Sequence, residues 1–256
     1  MRNLSWALAA LWACIALQVG AARAEVVVLE PVKDNTLYES AAGVVSNGAG
    51  SHFFAGRNGQ GTVVRGLLKF DLVGSVPVGA TVLNATLSLT MSKTNNPATE
   101  TVSLHRVLEE WGEGTSAGAN GEGGGAPATA GDATWVHTFF FNEFWAALGG
   151  DFDPAASAST GVTGVGIYSW NSAELTADVQ LFLDTPFRNH GWMVAGNEAA
   201  NAKRFNTREN PGVNSRPQLS IEFEPLWAPA LAPPSAALLA AVLAVAAVAS
   251  LRSSRS

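Results

Sequence analysis

Cysteine is almost absent from this sequence. One cysteine, Cys14, occurs in 256 residues, and it lies in an apolar stretch at the N terminus. If that stretch is removed as a signal peptide, the mature chain has no thiol. This excludes disulfide bonds, thiolate catalysis and cysteine-ligated metals, so the hydrophobic core alone must hold the folded chain together.

Basic residues are also scarce. The chain has 15 lysines and arginines against 21 aspartates and glutamates, which gives a formal net charge of −6. Proteins that bind nucleic acid need a basic surface for the phosphates, so no nucleic-acid partner is expected. The four histidines are widely separated and include no HExxH pair, so they give no sign of a zinc protease site.

The first 24 residues have the features of a secretory signal peptide. Arg2 supplies a positive charge, an apolar run follows it, and Ala22-Arg23-Ala24 is a small-x-small cleavage site, as in cleaved signals. The mature chain would then begin at Glu25. A transmembrane anchor is the alternative, and the shortness of the apolar run disfavours it.

The C-terminal end carries a second apolar segment. Residues 225–235 are rich in proline and predict a stiff, extended linker. Residues 236–251 are Ala, Val and Leu with one Ser, and Arg252 and Arg255 follow them. An apolar helix with a basic end is typical of a membrane anchor. Residues 236–256 therefore predict a hydrophobic helix that tethers the chain to a membrane.

Strict alternation of apolar and polar residues dominates the middle of the chain. It runs without exception over residues 83–92, and a period of two is typical of a strand with one face on a core and the other in water. Residues 64–72 show the same pattern, with Leu67 as the exception, and Arg65 and Lys69 fall on the outward face. Such strands need a second layer over their apolar face.

The remaining segments complete the predicted fold. Residues 172–183 have apolar side chains at helical spacing, with Ser172 as the cap, and residues 142–148 are consistent with one helical turn. Residues 112–131 are dense in glycine and predict a mobile loop. We expect residues 25–224 to form an all-β, antiparallel β-sandwich of jelly-roll type with one short helix, followed by the C-terminal hydrophobic helix.

The order of several short motifs resembles a known family. The motifs are DNTLYE at 34–39, RGLLKFDL at 65–72, PVGATVLNATL at 77–87, VSLHRV at 102–107, DVQLFL at 178–183, GWMVAG at 191–196 and RPQLSI at 216–221. In this order they resemble the DNRLRE domain family, which is similar to carbohydrate-binding module family 96. The resemblance covers residues 25–224 and implies a secreted, non-catalytic jelly-roll domain, which in some members binds acidic polysaccharides. The tail at 236–256 resembles the PEP-CTERM sorting tails, which implies a sorting enzyme as a partner.

Candidate binding residues are the basic side chains of the domain and one tryptophan. Acidic sugars pair with arginine forks, and sugar rings stack on aromatic side chains. If the central and penultimate strands are neighbours, their basic residues share one patch, with Arg57 in a loop. The alternative is that these residues are solvated or form ion pairs with Asp71 or Glu209. The predicted carbohydrate-binding residues are Arg65, Lys69, Lys203, Arg204, Arg208 and Trp170.

Two groups of carboxylates are candidates for a structural metal, although solvated side chains are the simpler interpretation. Asp151 and Asp153 lie in a short, oxygen-rich loop of the kind that binds Ca²⁺, and Asp34 with Glu39 is a similar candidate. These oxygen ligands suggest a structural Ca²⁺, and no other cofactor is expected.

Three functions are consistent with these features. The first is non-catalytic binding of an extracellular polysaccharide, acidic polysaccharides included, by a secreted protein tethered to the membrane at the cell surface. The second is a structural or adhesive protein of the cell surface or biofilm matrix without a specific sugar ligand. The third is a polysaccharide-degrading enzyme that uses Glu109 or Glu113 as paired carboxylates, for which solvated side chains are the simpler interpretation. The first is the predicted function, so no enzymatic activity is expected.

Overall fold

The computed structural model describes residues 23–199 and 201–226. The chain divides into two compact units after Pro225, and the described residues lie almost entirely in the first. Most of the predicted signal peptide, most of the predicted linker and the whole hydrophobic tail fall outside the described residues. Within the described ranges, no helix has the length and apolar character needed to cross a membrane.

The described residues form fifteen β-strands and one α-helix. The strands are β1 (Glu25–Leu29), β2 (Lys33–Tyr38), β3 (Val45–Ser46), β4 (His52–Arg57), β5 (Val63–Lys69), β6 (Thr81–Thr94), β7 (Glu100–Arg106), β8 (Ala126–Pro127), β9 (His137–Phe139), β10 (Glu143–Phe144), β11 (Ala158–Val162), β12 (Gly166–Asn171), β13 (Trp192–Ala195), β14 (Lys203–Asn206) and β15 (Gln218–Glu224). The helix α1 spans Ala173–Asp184, and short 3₁₀ turns lie at Pro186–Arg188 and Val213–Ser215.

Eleven of these strands hydrogen-bond into one large antiparallel sheet. Its order is β1-β15-β6-β14-β4-β5-β13-β7-β11, with β12 paired to β6 and β2 paired to β5. β6 has 14 residues, long enough to pair with β12 on one side and with β15 and then β14 on the other. The sheet curls, which is consistent with the predicted all-β sandwich.

β6 follows the predicted alternation with one exception. Its inward-facing residues over 85–91 are buried in the main core, and the residues between them are less buried. Leu83, which the pattern assigns to the core, is 43% exposed, whereas Val82 is buried. The register against β15 shifts at this point. A β-bulge therefore reverses the parity of the first residues of β6.

The helix α1 is the predicted one. Its buried residues Leu175, Val179 and Phe182 recur at helical spacing and lie in the main core. The Ser172 hydroxyl oxygen accepts the N–H of Leu175 at 2.9 Å, so the predicted cap forms. The helical turn predicted at residues 142–148 is absent, because part of that segment is the strand β10, which pairs with β9.

Residues 107–152 contribute a second hydrophobic cluster on the other face of the sheet, and we call this stretch the covering segment. The cluster joins Leu67 and Met193 of the sheet to Trp111 and Trp135 of the covering segment. Leu67, the exception in the predicted alternation of β5, is fully buried here. The outward face of β5 is therefore covered rather than open to solvent, contrary to the prediction.

The prediction of a mobile loop at residues 112–131 is also wrong. The side chains of Asn35 in β2 and of Asn47, which follows β3, form hydrogen bonds with the backbone of this loop. The Asn35 side-chain amide donates to the carbonyl oxygen of Glu113 at 2.9 Å, and the Asn47 side-chain oxygen accepts the N–H of Gly118 at 2.7 Å. These hydrogen bonds satisfy backbone groups that would otherwise need solvent.

Candidate functional site

The predicted binding residues do not form one patch, and one of them is a core residue. Trp170 is fully buried. Its indole N–H donates to the carbonyl oxygen of Val102 at 2.7 Å, and its ring packs edge-on against Phe205. A sugar needs an exposed aromatic face to stack on, so Trp170 is not a stacking platform.

Lys203 is buried as well, and its ammonium group has a complete set of protein partners. It donates to the carbonyl oxygens of Asn96, Ala98 and Thr163 at 3.0, 2.9 and 3.0 Å, and it lies 3.3 Å from the Thr94 hydroxyl. Burial lowers the pKa of Lys203. An ammonium group has three protons to donate, so Lys203 has none left for a ligand and instead ties together the turn after β6.

Arg65 and Lys69 are paired with carboxylates. The Arg65 Nε donates to Glu198 at 2.6 Å, and the guanidinium lies 4.8 Å from the centre of the Trp135 ring. The Lys69 Nζ donates to Glu110 at 2.8 Å. Their side chains are 15% and 19% exposed. They therefore hold the covering segment to the sheet rather than face an open surface.

Arg208 confirms one of the predicted ion pairs. Its guanidinium donates to both carboxylate oxygens of Glu113, at 2.9 and 2.6 Å, and lies 2.9 Å from Glu209. The two hydrogen bonds to Glu113 raise the pKa of Arg208. Its charge is thus neutralised inside the protein.

Arg204 lines an open cleft together with two other basic side chains, and we call it the basic cleft. The cleft has a volume of about 410 Å³. Its lining residues are Phe54, Arg57, Asn58, Gly59, Gln60, Lys93, Thr94, Asn95, Ala119, Asn120, Gly121, Gly123, Gly124, Gly125, Asn201, Ala202 and Arg204.

Three cationic side chains, Arg57, Lys93 and Arg204, converge on the basic cleft. Its lining includes no carboxylate, and no ion pair among the described residues involves any of the three. Arg204 of β14 stands directly opposite Lys93 of β6. Like charges in this position destabilise a sheet, so the pair carries a repulsion that an anion would relieve.

Neutral groups fix the two arginines. The Arg57 side chain donates through Nε to the carbonyl oxygen of Glu198 at 2.6 Å and through Nη1 to that of Gly61. The Arg204 Nε donates to the Ser92 hydroxyl at 3.1 Å. Burial lowers the pKa of Arg204, although a guanidinium stays protonated at neutral pH. Both guanidinium groups therefore keep their full charge and some free N–H donors.

The glycine-rich wall of the cleft is held in place, and its one acidic residue points elsewhere. Glu122 is the only carboxylate in residues 118–126, and it accepts the backbone N–H of His52 at 2.8 Å and the side-chain amide of Asn47 at 3.1 Å. Asn120 and Glu122 have φ angles of 53° and 69°, which are uncommon for residues other than glycine. Backbone strain of this kind is often found at binding sites.

Lys93 and the amides of the cleft are the site residues that sequence reasoning missed. Strict alternation places Lys93 on the same face as Met91, toward the core. The register between β6 and β14 shifts between these two residues, so a second bulge turns Lys93 to the outer face. A lysine at an inward position was the available signal that the alternation had ended.

The predicted calcium loop makes other contacts. Asp151 accepts two backbone N–H groups, at 2.6 and 2.8 Å, and Asp153 accepts a hydrogen bond from Arg106 at 3.0 Å. Among the described residues, neither belongs to a group of three or more potential metal ligands, and Glu39 does not either. Asp34 does belong to such a group, with partners other than Glu39.

No protein-family model matches the chain, and no curated protein matches it. Its function must therefore be inferred from the geometry of the site.

Proposed function

We propose that the basic cleft binds an acidic polysaccharide and that the protein is a non-catalytic carbohydrate-binding protein. The observation that carries the proposal is the convergence of Arg57, Lys93 and Arg204 on a cleft without a carboxylate, in a chain whose net charge is −6. An arginine fork recognises a sugar carboxylate or sulfate through two parallel hydrogen bonds. The local positive potential attracts anions against the overall charge of the chain.

The neutral lining of the cleft suits the hydroxyl groups of a sugar. Five side-chain amides line it, from Asn58, Gln60, Asn95, Asn120 and Asn201, and an amide can both donate and accept hydrogen bonds. The Asn58 oxygen already accepts two backbone N–H groups, so the other four are the amides that suit a ligand. The volume of about 410 Å³ lies in the range of small-molecule sites, roughly 300–1,000 Å³. The one aromatic residue in the lining, Phe54, is almost fully buried, so recognition depends on charge and hydrogen bonds rather than on stacking.

Several contacts support a binding protein rather than an enzyme. A glycosidase needs two carboxylates beside the substrate, and the cleft lining has none. Glu113 is bound by Arg208. Ser116 stands in a G-x-S-x-G sequence, but it is buried and its hydroxyl oxygen accepts the N–H of Gly48. A nucleophilic serine must instead be exposed beside a base.

The proposal includes location and topology. A signal peptide at residues 1–24 and a hydrophobic tail at 236–256 would place the cleft outside the cell on a tether, where extracellular polysaccharides occur. A sorting enzyme that recognises the tail belongs to the same proposal. The jelly-roll arrangement of the sandwich is proposed on the order of the motifs that resemble the DNRLRE family.

Affinity electrophoresis tests the function. The purified chain is run through gels that contain a polyuronate such as alginate or pectate, or a neutral glucan. We expect the polyuronates to retard the chain and the neutral glucan to have little effect. Arg204→Gln and Lys93→Gln should each weaken binding about 10-fold or more, because a hydrogen bond to a charged group contributes about 1.5–3 kcal/mol.

Arg188→Gln is the matched control. Arg188 is exposed and does not line the basic cleft, so its loss removes the same charge at another place. Equal weakening by Arg188→Gln and Arg204→Gln would mean that only net charge matters. No retardation by any anionic glycan would contradict the proposal and favour a structural or adhesive role.

A further inference from the structure

Three carboxylates from distant parts of the chain meet at one point away from the lining of the basic cleft. Asp34 lies in β2, Glu113 in the covering segment, and Glu209 just after β14. One carboxylate oxygen from each lies within 4.8 Å of the other two. Two oxygens bound to one Ca²⁺ at about 2.3–2.6 Å cannot be more than about 5 Å apart, so this spacing is the one that a shared cation produces.

Two oxygen atoms of this cluster are buried without a hydrogen-bond partner. Asp34 is fully buried, and its Oδ1 has no partner among the described residues. The Glu209 Oε2 atom is also buried and has no partner among the described residues. A buried carboxylate without compensation is strongly unfavourable. These two atoms therefore need a partner from outside the described residues, and a cation, a proton or a water molecule would supply one.

The remaining oxygens of the cluster are bound by Arg208. Its backbone N–H donates to the Asp34 Oδ2 at 2.9 Å. Its guanidinium donates two hydrogen bonds to the Glu113 carboxylate, and its Nε lies 2.9 Å from the Glu209 Oε1. When all three carboxyl groups are ionised, they and the one guanidinium carry a net charge of about −2. A divalent cation balances this charge, and a single proton does not.

We propose that Asp34, Glu113 and Glu209 bind a divalent cation, with Ca²⁺ as the best fit. The unpartnered Asp34 Oδ1 and Glu209 Oε2 supply two ligands, and a Glu113 oxygen supplies the third. Ca²⁺ accepts irregular sets of oxygen ligands, whereas Mg²⁺ demands nearly octahedral geometry and keeps most of its water. The site uses none of the carboxylates of the oxygen-rich loop at Asp151 and Asp153.

The cation would join three segments that Arg208 also connects, through its backbone N–H and its guanidinium. It would hold the covering segment, through Glu113, to β2 of the sheet and to the turn that follows β14. Without a cation, the unpartnered oxygens would have to be satisfied by a proton or a water molecule, and the two states differ in their response to Ca²⁺.

Calcium titration of the full-length chain tests the site. The chain is stripped with EDTA at pH 7, and its melting temperature is measured during titration with Ca²⁺ and, in parallel, with Mg²⁺. At a Ca²⁺ concentration about 100-fold above Kd, we expect a rise in Tm of roughly 5–10 °C. Tb³⁺, a luminescent substitute for Ca²⁺, should bind to the stripped chain and be displaced by Ca²⁺.

Two variants locate the site. Asp34→Asn and Glu209→Gln should each lower the Tb³⁺ affinity at least 10-fold and, at the same Ca²⁺ concentration, reduce the rise in Tm by about half or more. Asp184→Asn, an exposed carboxylate at the end of α1, should change neither. Tb³⁺ binding to the wild-type chain and its loss in Glu209→Gln keep the test valid if Asp34→Asn does not fold.

The rival occupant of the cluster is a proton. If the wild-type chain shows no Tm change up to millimolar Ca²⁺ and no Tb³⁺ binding, the proposal is wrong. An Asp34→Asn variant as stable as the wild type would then identify a proton as the occupant of the cluster. Cation binding that survives both variants would also overturn it, since the ion would then be held elsewhere.

Discussion

Lys203 and Arg204 are neighbours in the chain and have opposite environments. The Lys203 ammonium group donates hydrogen bonds to four oxygens inside the protein. The Arg204 side chain, in contrast, donates only to a serine hydroxyl and lies opposite Lys93. Alternation along β14 turns one side chain inward and the other outward. At the scale of the residue, the charge that is left without a carboxylate partner distinguishes the proposed binding site, and the presence of charge alone does not.

Glu110 shows the contrasting case of a carboxylate with three basic partners. It accepts hydrogen bonds from Lys33, Lys69 and His190. Burial alone would raise the pKa of Glu110, but these hydrogen bonds lower it well below its ordinary value. A lowered pKa means that ionised Glu110 stabilises the fold above its unfolded pKa of about 4.3. This stabilisation is lost as the pH falls toward the folded pKa.

We therefore expect Glu110→Gln to be destabilising in a pH-dependent way. At pH 7 the loss in the free energy of unfolding should be about 1 kcal/mol, a small value because the side chain is nearly half exposed and solvent screens its ion pairs. The loss should shrink steadily between pH 5 and pH 2. Urea unfolding at a series of pH values measures it, with the exposed neighbour substitution Glu109→Gln as control. A loss that stays constant over this range would contradict the account.

β5 is a strand whose two faces are both buried. Leu68 of this strand belongs to the main core, and Leu67 belongs to the cluster beneath the covering segment. A sheet with one face in water would leave Leu67 exposed. The covering segment therefore contributes to stability as a layer of the domain and does not behave as a loop.

Leucine truncation measures this contribution. Leu67→Ala should lower the free energy of unfolding by about 2–5 kcal/mol, as for a buried leucine, because Leu67 is 0% exposed. Leu83→Ala is the matched control and should cost less than about 1 kcal/mol, because Leu83 is 43% exposed. Urea denaturation of both variants gives the comparison. Similar small losses at the two positions would show that the covering segment leaves β5 in water.

The elements that the sequence predicts well are those whose burial follows from local periodicity. Alternation predicted most of β6, and apolar residues three and four apart predicted α1. The covering segment has no such period, because its glycines pack backbone against backbone: a Cβ on Gly112 would lie 1.8 Å from the carbonyl oxygen of Gly131. Its order depends on hydrogen bonds from residues far away in the chain, such as Asn35 and Asn47.

The candidate site was predictable only in part, for a related reason. Arg204 was predicted and Arg57 was noted as a basic loop residue, but bulges decide which side chains share a face. A bulge in β6 brings Lys93 opposite Arg204, and alternation cannot foresee it. Trp170 was misassigned because a strand pattern does not show which tryptophan is covered by the rest of the fold.

At the scale of the whole molecule, an acidic chain presents a concavity lined by three basic side chains. The cleft gathers cations from the end of β4, the end of β6 and the start of β14, and the glycine-rich part of the covering segment completes its wall. The same covering segment supplies Glu113 to the acidic cluster. The fold thus places a proposed anion site and a proposed cation site on one segment, with separate residues for each.

A crystal structure of the chain with a bound acidic oligosaccharide tests the central claim most directly. A short oligouronate is supplied at a saturating concentration, as set by its measured affinity. We expect a carboxylate of the sugar within hydrogen-bonding distance of Arg204, with Lys93 or Arg57 as a second partner and hydroxyl groups on the cleft amides. An oligouronate bound at any other surface, with the basic cleft free of sugar, would contradict the account.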